Sequence, residues 1–538
     1  MIYCCNLHFF PITTTISSTA IMDDDPEKRS ITAPETDHEE HQVSDAGRTH
    51  GGQVTRAKML TTLIICFCNL INFMDRYCLP GILPMVIADL KLSNFQGGLL
   101  QSAFVVSYVV VAPIVGYLGD RYSRRAIMGC GLLVWSIVTM AGSFMTTFET
   151  LLIFRCLGGI GEASYSAIGP AVIGDLYIGD TRSKMLALFY FTTLIGGGLG
   201  FITGSGMAAA TSSWNWGLRV TPILSMVSVL LIAFVMRDPP RGLSEGSRLV
   251  STSWQKDIVY LLKNPSLMLS TIASIAVTFT VGAIAAWGPQ YVFLGRQILN
   301  DNSLSFDDIS LVFGIVTIAS GLLGVVSGSI MGQKLRIRFP SADAIICGIG
   351  MICSAPFFYA LLVLSLGSIY AIYVLAFLAL WFINLNWALV GDILLYVIIP
   401  TRRATAAAFQ ILVCHIFGDA SSPFIVGLIS DALKPTIESD SETFRNFKSL
   451  EYGLFVILFV EVLGGFFFLA CSWFLVSDRA KATRAVAVSI PDQSVLYDKS
   501  KASQVHVFVP ANDPATSGHT VMIKRSSQIM DEVNLETV

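Results

Sequence analysis

The sequence predicts an all-α polytopic membrane protein whose twelve transmembrane helices form two related halves of six. Of 538 residues, 53% are hydrophobic and 14% are charged, whereas a soluble chain carries about 25% charged residues. Apolar runs of about 20 residues, which is the length needed to cross a bilayer, recur along the whole chain. The basic residues between these runs collect in alternate loops, as is typical of loops that remain in the cytosol.

Twelve apolar segments are long enough to span a membrane. They are predicted at residues 58–80, 97–118, 126–147, 150–174, 185–209, 218–236, 267–294, 308–332, 341–365, 368–399, 405–430 and 452–476. The resulting organisation is a cytosolic tail (1–57), an N-terminal half (58–236), a cytosolic linker (237–266), a C-terminal half (267–476) and a second cytosolic tail (477–538). Both tails are polar, and we expect them to be disordered.

The loop charges predict the orientation of the chain. The even-numbered loops contain most of the basic residues, namely Arg121, Arg124, Arg125, Arg182, Lys184, Lys334, Arg336, Arg338, Arg402 and Arg403. The short odd-numbered loops hold little beyond Lys91 and Arg296. The positive-inside bias therefore places both termini and the even loops in the cytosol, and we call the opposite side the outer side. No basic field suggests a nucleic-acid partner.

Composition and motifs argue against cofactor chemistry. The eleven cysteines are scattered, mostly inside apolar spans, so neither a disulfide framework nor a metal site is predicted. Neither a Walker motif nor an HExxH box is present, so we predict no cofactor and no use of ATP. Ser164 and His415 were considered as a nucleophile and base, but GEASY lacks the flanking glycine of a nucleophile elbow. An enzyme is therefore not predicted.

A sequence repeat indicates that the two halves are related. GDLYIGDTRSKMLALF begins at Gly174, after the fourth span, and GDILLYVIIPTRRATAAAF begins at Gly391, after the tenth. Both contain Gly-Asp, then Thr-Arg, then Ala and Phe at corresponding positions. Parallel repeats of six helices are typical of the major facilitator fold, whose halves rock about a site at the membrane midplane.

The loop GYLGDRYSRR after the second span matches the loop motif of major facilitator proteins. Asp120 is expected to cap the next helix or to pair with Arg124 or Arg125, so that these residues and Arg121 form a gating latch between two helices. The alternative is a basic anchor on the cytosolic side. The equivalent loop of the second half has Gln333 in place of the aspartate, and we expect a weaker latch there.

Charged residues inside the spans are the main functional candidates. Arg155 and Glu162 lie seven residues apart in the fourth span, so they share a helix face, while Asp75 lies near the predicted outer end of the first span. Intramembrane charges usually mark substrate or proton pathways, although a structural ion pair is the alternative. Asp75 also begins an Asp-Arg-Tyr tripeptide, which we rejected as a receptor motif because twelve spans are predicted.

Other polar residues in the second half are open to more than one interpretation. His415 and Asp419 lie four residues apart in HIFGDASSP and face the same side of the eleventh span. They are a possible proton relay, or a hydrogen-bonded packing pair. Glu461 lies midway along the twelfth span and is either a pathway residue particular to this lineage or a side chain that reaches towards a polar neighbour. Asp392 and Arg402 are expected to latch the corner between the tenth and eleventh spans.

Several stretches together resemble the spinster family of major facilitator transporters over residues 58–480. They are FRCLGGIGEASYSAIGPAVIGDL, GYLGDRYSRR, WNWGLRVTP with RDPPRG, and IPTRRATAAAFQILVCHIFGDASSPFIVGLISD. Some spinster proteins export sphingosine 1-phosphate from cells, and others move lysophospholipids or sphingolipids out of lysosomes. The resemblance implies that Asp75, Arg155 and Glu162 are cavity charges, with proton coupling at the acidic pair.

The expected function is therefore proton-coupled secondary transport of a single-chain sphingolipid or lysophospholipid by alternating access. A transporter-like sensor without net flux and a carrier of another amphipathic anion are the alternatives. The resemblance implies a late endosomal or lysosomal membrane, with the plasma membrane as the alternative. DIVYLL, from Asp257 to Leu262, fits an acidic dileucine signal, but a helix lying on the membrane explains its leucines better.

Overall fold

The computed structural model describes residues 56–166, 168–177, 179–236, 254–301, 303–399, 402–489, 506–508 and 520–522. Within them, twelve helical segments are long and apolar enough to cross a membrane. They are Arg56–Leu90, Asn94–Gly119, Arg124–Gly142, Phe148–Leu176, Lys184–Thr211, Trp214–Phe234, Pro265–Ile298, Phe306–Arg336, Ala342–Val363, Ile369–Val397, Thr405–Thr436 and Glu442–Ala485. The predicted number of spans is confirmed. Most of the N-terminal tail and residues 237–253 of the linker lie outside the described part.

The described residues form sixteen α-helices, of which α8 lies in the linker and the others belong to the spans. In chain order they are α1 Arg56–Leu90, α2 Asn94–Arg121, α3 Arg124–Gly142, α4 Phe148–Ser166, α5 Ile168–Leu176, α6 Gly179–Thr211, α7 Trp214–Phe234, α8 Trp254–Leu262, α9 Pro265–Ile298, α10 Phe306–Arg336, α11 Ala342–Val363, α12 Ile369–Asn384, α13 Asn386–Val397, α14 Arg403–Cys414, α15 Ser422–Leu433 and α16 Glu442–Ser489. Helix α16 continues past the predicted end of the twelfth span at residue 476. A second compact unit, Ala480–Val538, contains the antiparallel strands β1 His506–Phe508 and β2 Thr520–Met522. Most of this tail lies outside the described part, and its expected disorder stays a prediction.

Helix α1 is longer than predicted and changes the position of a functional candidate. The predicted first span stops at residue 80, but α1 continues through Pro80 and Pro84 to Leu90. Proline is tolerated inside membrane helices because neighbouring helices support the interrupted backbone. Here the next residue, Gly81, packs directly on the backbone of Phe201. Asp75 therefore lies near the middle of a 35-residue helix, and its expected place near the outer end was wrong.

The eleventh span is interrupted by a π-helical turn at His415–Asp419, between α14 and α15. The turn leaves backbone carbonyls without their usual helical partners. The hydroxyl of Thr278, on α9, donates a hydrogen bond to the carbonyl of Cys414 at 3.1 Å. Thr278 reaches this carbonyl because Gly418 has no side chain in its path. The interruption places both predicted relay residues within one irregular turn.

Each half has its own apolar core. The core of the first half surrounds Trp135 and Tyr165, and that of the second half surrounds Trp287 and Phe358. Large apolar side chains remain exposed on the outside of both halves, as for Phe459 at 70% exposure. Such a surface is stable in contact with lipid, because lipid tails solvate apolar side chains.

The halves meet along two helix pairs, α2 with α15 and α6 with α10. Gly198 and Gly314 bring the backbones of α6 and α10 together, since a Cβ atom on Gly314 would lie 2.5 Å from the oxygen of Gly198. Gly98 of α2 packs in the same way against the carbonyl of Pro423. Small residues permit such close approach of membrane helices. The α2–α15 contact lies at the end of α2 that is predicted to face the outer side.

Candidate functional site

Asp75 is fully buried within the first half and accepts three polar contacts. The hydroxyl of Thr221 donates to its Oδ1 at 2.5 Å, and the indole N–H of Trp135 donates to its Oδ2 at 3.3 Å. The guanidinium of Arg155 lies 3.8 Å from the same Oδ2. Helices α1, α3, α4 and α7 thus build one end of a charged cluster. Asp75 and Arg155, which were both predicted site residues, form an ion pair there.

Arg76 forms the other end of the cluster and was not predicted as a site residue. Its Nη2 donates to Glu162 Oε1 at 3.2 Å, and its Nη1 lies 3.7 Å from Asp419 Oδ2. The aromatic rings of Phe73 and Tyr108 surround the guanidinium, with centroids 5.4 and 5.5 Å from its carbon. Because Glu162 belongs to the first half and Asp419 to the second, Arg76 bridges the two halves. Glu162 is thus paired with Arg76 and not with Arg155.

His415 and Asp419 are brought together at the edge of this cluster. The Nδ1 atom of His415 lies 2.9 and 3.0 Å from the two carboxylate oxygens of Asp419. The ring of Tyr108 packs edge-on against the histidine, with centroids 5.7 Å apart. Their side chains are 23% and 20% exposed, whereas that of Glu162 is only 2% exposed. The pair therefore connects the buried charges to the more accessible space beside the second half.

Gln101, on α2, connects the two ion pairs. Its Nε2 donates to the backbone oxygen of Arg76 at 3.1 Å, and its Oε1 accepts from Arg155 Nη2 at 3.4 Å. The guanidinium carbon of Arg155 also lies 4.7 Å from the ring centroid of Phe104. Gln101 is not recognisable as a site residue in the sequence, because an amide inside a membrane span is not distinctive without its neighbours.

The cluster holds more carboxylates than fixed positive charges. Three carboxylates face two guanidinium groups and one histidine, namely Asp75, Glu162, Asp419, Arg76, Arg155 and His415. Arginine remains protonated in proteins, whereas carboxyl and imidazole groups exchange protons. A buried uncompensated charge is costly. With the histidine neutral and all three carboxyl groups ionised, the site carries one excess negative charge.

Three buried polar atoms in the cluster have no hydrogen-bond partner among the described residues. They are Nε of Arg76, Nε of Arg155 and Oε2 of Glu162. Buried polar atoms are normally hydrogen-bonded, so such exceptions call for an explanation. Two cationic donors and one carboxylate acceptor are the groups needed to bind a phosphate together with an ammonium group. Among the described residues, no three acidic, histidine or cysteine side chains are arranged to hold a metal ion.

The predicted latch of the first half has a different arrangement from the one expected. Arg124 forms a hydrogen-bonded ion pair with Asp175, at the end of α5. Arg125 donates to the carbonyl of Ile232 at 3.0 Å, so neither arginine is committed to Asp120 alone. Helix α3 is capped by the side chain of Ser123, and the pairing or capping expected of Asp120 stays a prediction. The side chain of Asp120 lies outside the described part. Arg121 packs on the ring of Tyr117.

The second half has a strong charge cluster at the corresponding corner. Arg336 donates to both carboxylate oxygens of Asp343 at 3.0 Å and to Asp392 at 2.6 Å. A weaker latch was expected because Gln333 replaces the loop aspartate. That expectation was wrong, since the arginine finds its acids on α11 and α13. Asp392 is thus paired with Arg336 and not with Arg402.

Arg402 instead fixes the linker helix α8 to the second half. Its Nε lies 2.7 Å from Asp257 Oδ1, and its guanidinium carbon lies 4.5 Å from the ring centroid of Tyr260. Leu261 is completely buried, whereas Leu262 is 52% exposed. An acidic dileucine signal needs its aspartate and both leucines accessible, so DIVYLL is occluded in this arrangement.

Glu461 lies in the second half, apart from the central cluster. It is completely buried, and the hydroxyl of Ser354 lies 3.2 Å from its Oε1. The described residues show no cation paired with it. Glu461 therefore has the burial of Glu162 without the arginine partner, which makes the two glutamates a matched pair for comparison.

The fold and its central charges define a transporter of the major facilitator superfamily, and a family model described as Major Facilitator Superfamily matches residues 65–423. The chain is 44% identical to Protein spinster of Drosophila melanogaster over 481 residues, covering 80% of this chain and 79% of the relative. It is 41% identical to Protein spinster homolog 1 of Homo sapiens over 471 residues, covering 83% and 88%. The chain therefore belongs to the spinster family, which consists of transporters and not of enzymes.

Solved structures share the same fold. A bacterial homologue of human lysosomal transporter spinster, in an inward-facing and unoccupied conformation, superposes with a TM-score of 0.69 at 18% identity, covering 79% of this chain and 99% of that chain. The nucleoside transporter NupG gives a TM-score of 0.58 at 14% identity, covering 78% and 99%. The two structures support the architecture alone, because sequence identities this low do not carry substrate choice.

Proposed function

We propose that the protein is a proton-coupled secondary transporter of single-chain lipids with a charged headgroup, which are sphingolipids or lysophospholipids. The observation that carries this proposal is the charged cluster between the halves, where Arg76 contacts Glu162 and Asp419 at 3.2 and 3.7 Å. Intramembrane charges that face an interior are costly and mark transport pathways. A major facilitator protein alternates access about such a site.

The free polar atoms favour a headgroup with both signs of charge. In the proposed complex, the unpartnered Nε atoms of Arg76 and Arg155 are the donors for a phosphate, and the unpartnered Oε2 of Glu162 is the acceptor for an ammonium group. Sphingoid-base phosphates and many lysophospholipids combine these two groups in one headgroup. The half-buried ring of Tyr108 lies beside the guanidinium of Arg76, and we propose that it contacts the beginning of the lipid chain.

The uneven charge balance supports coupling to one proton. With three carboxylates and two arginines, the cluster is neutral when it holds one extra proton. Glu162 and Asp75 are the proposed exchanging groups, because each is paired with a different arginine. His415 and Asp419 are the proposed relay, since they are the most exposed members of the cluster. Displacing an arginine from a carboxylate favours protonation of that carboxylate.

The proposed location is the late endosomal or lysosomal membrane, with the plasma membrane as the alternative. The support is membership of the spinster family, because the human spinster protein to which the bacterial homologue is related is a lysosomal transporter. Sorting through DIVYLL is not part of this proposal, because Asp257 and Leu261 are buried against the second half.

The test is lipid uptake by the purified full-length protein in liposomes. We expect uptake of a lysophospholipid or a sphingoid-base phosphate that rises with an imposed proton gradient, and no uptake of a diacyl phospholipid with the same headgroup. Binding without uptake would favour the sensor alternative. Uptake of a short amphipathic anion in place of both lipids would favour the alternative of a carrier for another amphipathic anion.

A further inference from the structure

The outer ends of the two halves are joined by one carboxylate. Oδ1 of Asp431, on α15, accepts a hydrogen bond from the backbone N–H of Asn94 at 3.1 Å. Its Oδ2 accepts from the backbone N–H of Phe95 at 2.7 Å. Both donors belong to the first turn of α2, which lies in the other half. A residue of the second half therefore caps a helix of the first half.

Asp431 completes the capping of α2, because residues of the first half cap this helix only in part. The first N–H groups of a helix have no partner within the helix. The side chain of Ser93 accepts from Gln96 N at 3.2 Å, which leaves the N–H groups of Asn94 and Phe95 to other acceptors. A carboxylate at this position gains charge-assisted hydrogen bonds and a favourable interaction with the helix dipole.

The surrounding contacts exist only while these outer ends are together. The side-chain amide of Asn94 donates to Ser430 Oγ at 3.0 Å. Gly427 lies directly against the backbone oxygen of Asn94, with no room for a side chain. The rings of Phe95 and Phe424 meet edge-on, with centroids 6.3 Å apart. We call this contact between residues 94–98 and 423–431 the outer gate.

We propose that Asp431 is the latch of the outer gate and sets the equilibrium between its closed and open states. When the halves rock apart on this side, both N–H groups of α2 lose their acceptor, so opening has to break two charge-assisted bonds. The same helix carries Gln101 and Tyr108 of the central cluster. The latch therefore holds in place a helix that lines the site, without touching the substrate.

The test measures access from the outer side to a thiol placed behind the gate. Ser102 is 2% exposed and lies one turn beyond Gly98 on α2, so Ser102→Cys reports opening of the gate. The full-length protein is labelled in membranes with an impermeant maleimide, without lipid substrate or proton gradient. We expect Asp431→Ala to increase the labelling rate about tenfold, since loss of the latch shifts the equilibrium toward the open gate.

Asp440→Ala is the matched control, because Asp440 is an exposed aspartate of the same outer segment. The labelling rate of Ser102→Cys combined with Asp440→Ala should equal that of Ser102→Cys without a second substitution. If Asp431→Ala labels no faster than Asp440→Ala, the latch role of Asp431 is wrong. If Asp431→Ala does not reach the membrane, Asp431→Asn is labelled in the same way and compared with Asp440→Ala. We expect its labelling rate to be at least about threefold higher. A failed lipid-uptake assay leaves this result unaffected, because no substrate is present.

Discussion

Replacing Glu162 by glutamine isolates the charge of one carboxylate. The amide has nearly the same shape and retains an oxygen that accepts from Arg76, as Oε1 does at 3.2 Å. At that distance the lost attraction is about 5 kcal/mol before compensation, for an effective dielectric constant of about 20. Relief of desolvation offsets much of this loss, and Asp419 remains 3.7 Å from the same arginine. We therefore expect the variant to fold and to bind lipid.

The expected change is the loss of proton coupling. The wild-type cluster has three carboxylates against two arginines, whereas the variant has two against two and is neutral without an added proton. For one coupled proton, each pH unit contributes 1.36 kcal/mol. A gradient of two pH units therefore provides about 2.7 kcal/mol, which corresponds to about a hundredfold limiting accumulation of lipid. In the Glu162→Gln protein this ratio should fall to about one.

The assay compares lipid uptake into liposomes at equal pH and with the gradient imposed. Glu461→Gln is the matched control, because Glu461 is equally buried but has no arginine partner among the described contacts. The control should keep the gradient dependence of the wild type. Accumulation by Glu162→Gln that still follows the gradient would refute the assignment, and Asp75 would become the next candidate for the coupling residue.

Three other substitutions test separate parts of the structure. Arg155→Ala should weaken lipid binding at least about tenfold, measured by equilibrium binding in detergent, because a hydrogen bond to a charged group contributes about 1.5–3 kcal/mol. Gly198→Ala should abolish closure of the halves and reduce lipid uptake about tenfold or more. Gly206→Ala is its control and should transport normally, because no atom lies within 4 Å of the added Cβ. Arg336→Ala should lower the free energy of unfolding by about 2–4 kcal/mol, since it removes the hydrogen-bonded cation from two buried carboxylates. Fluorescence-detected thermal unfolding should show a lower Tm than for the exposed control Arg338→Ala.

The sequence predicted the number of spans well, because a run of about 20 apolar residues has few stable alternatives to a membrane helix. It also identified Asp75, Arg155 and Glu162, because a charge in such a run is conspicuous. It did not show which charges pair. A seven-residue spacing places two side chains on one face of a helix, but the helix packed against that face is decided by the tertiary structure.

Arg76 shows this limit most clearly. It stands beside Asp75 in the sequence, and the pair was considered only as part of a tripeptide motif. Neighbouring residues on an α-helix point about 100° apart. Asp75 therefore faces Arg155 inside the first half, whereas Arg76 faces Glu162 and, across the interface, Asp419. The signal was present in the sequence, as two adjacent opposite charges inside one apolar span.

The prediction of a weak latch at the cytosolic corner of the second half was wrong for a related reason. The absence of an aspartate in the loop, where Gln333 stands, suggested a weak latch. The structure brings Asp343 and Asp392 to Arg336 from two other helices. Residues distant in the sequence supply the missing charge, and a motif confined to one loop does not contain that information.

The adjacency of Asp75 and Arg76 also gives the proposed transporter a means of coupling. Both residues are carried by α1, so a shift or rotation of that helix changes both ion pairs together. A proton on Glu162 weakens its hold on Arg76, which is then attracted more strongly to Asp419 in the other half or to a phosphate group. Because buried charges are stable only in compensated arrangements, we infer that exchange of this one partner links the protonation state to the relative position of the two halves.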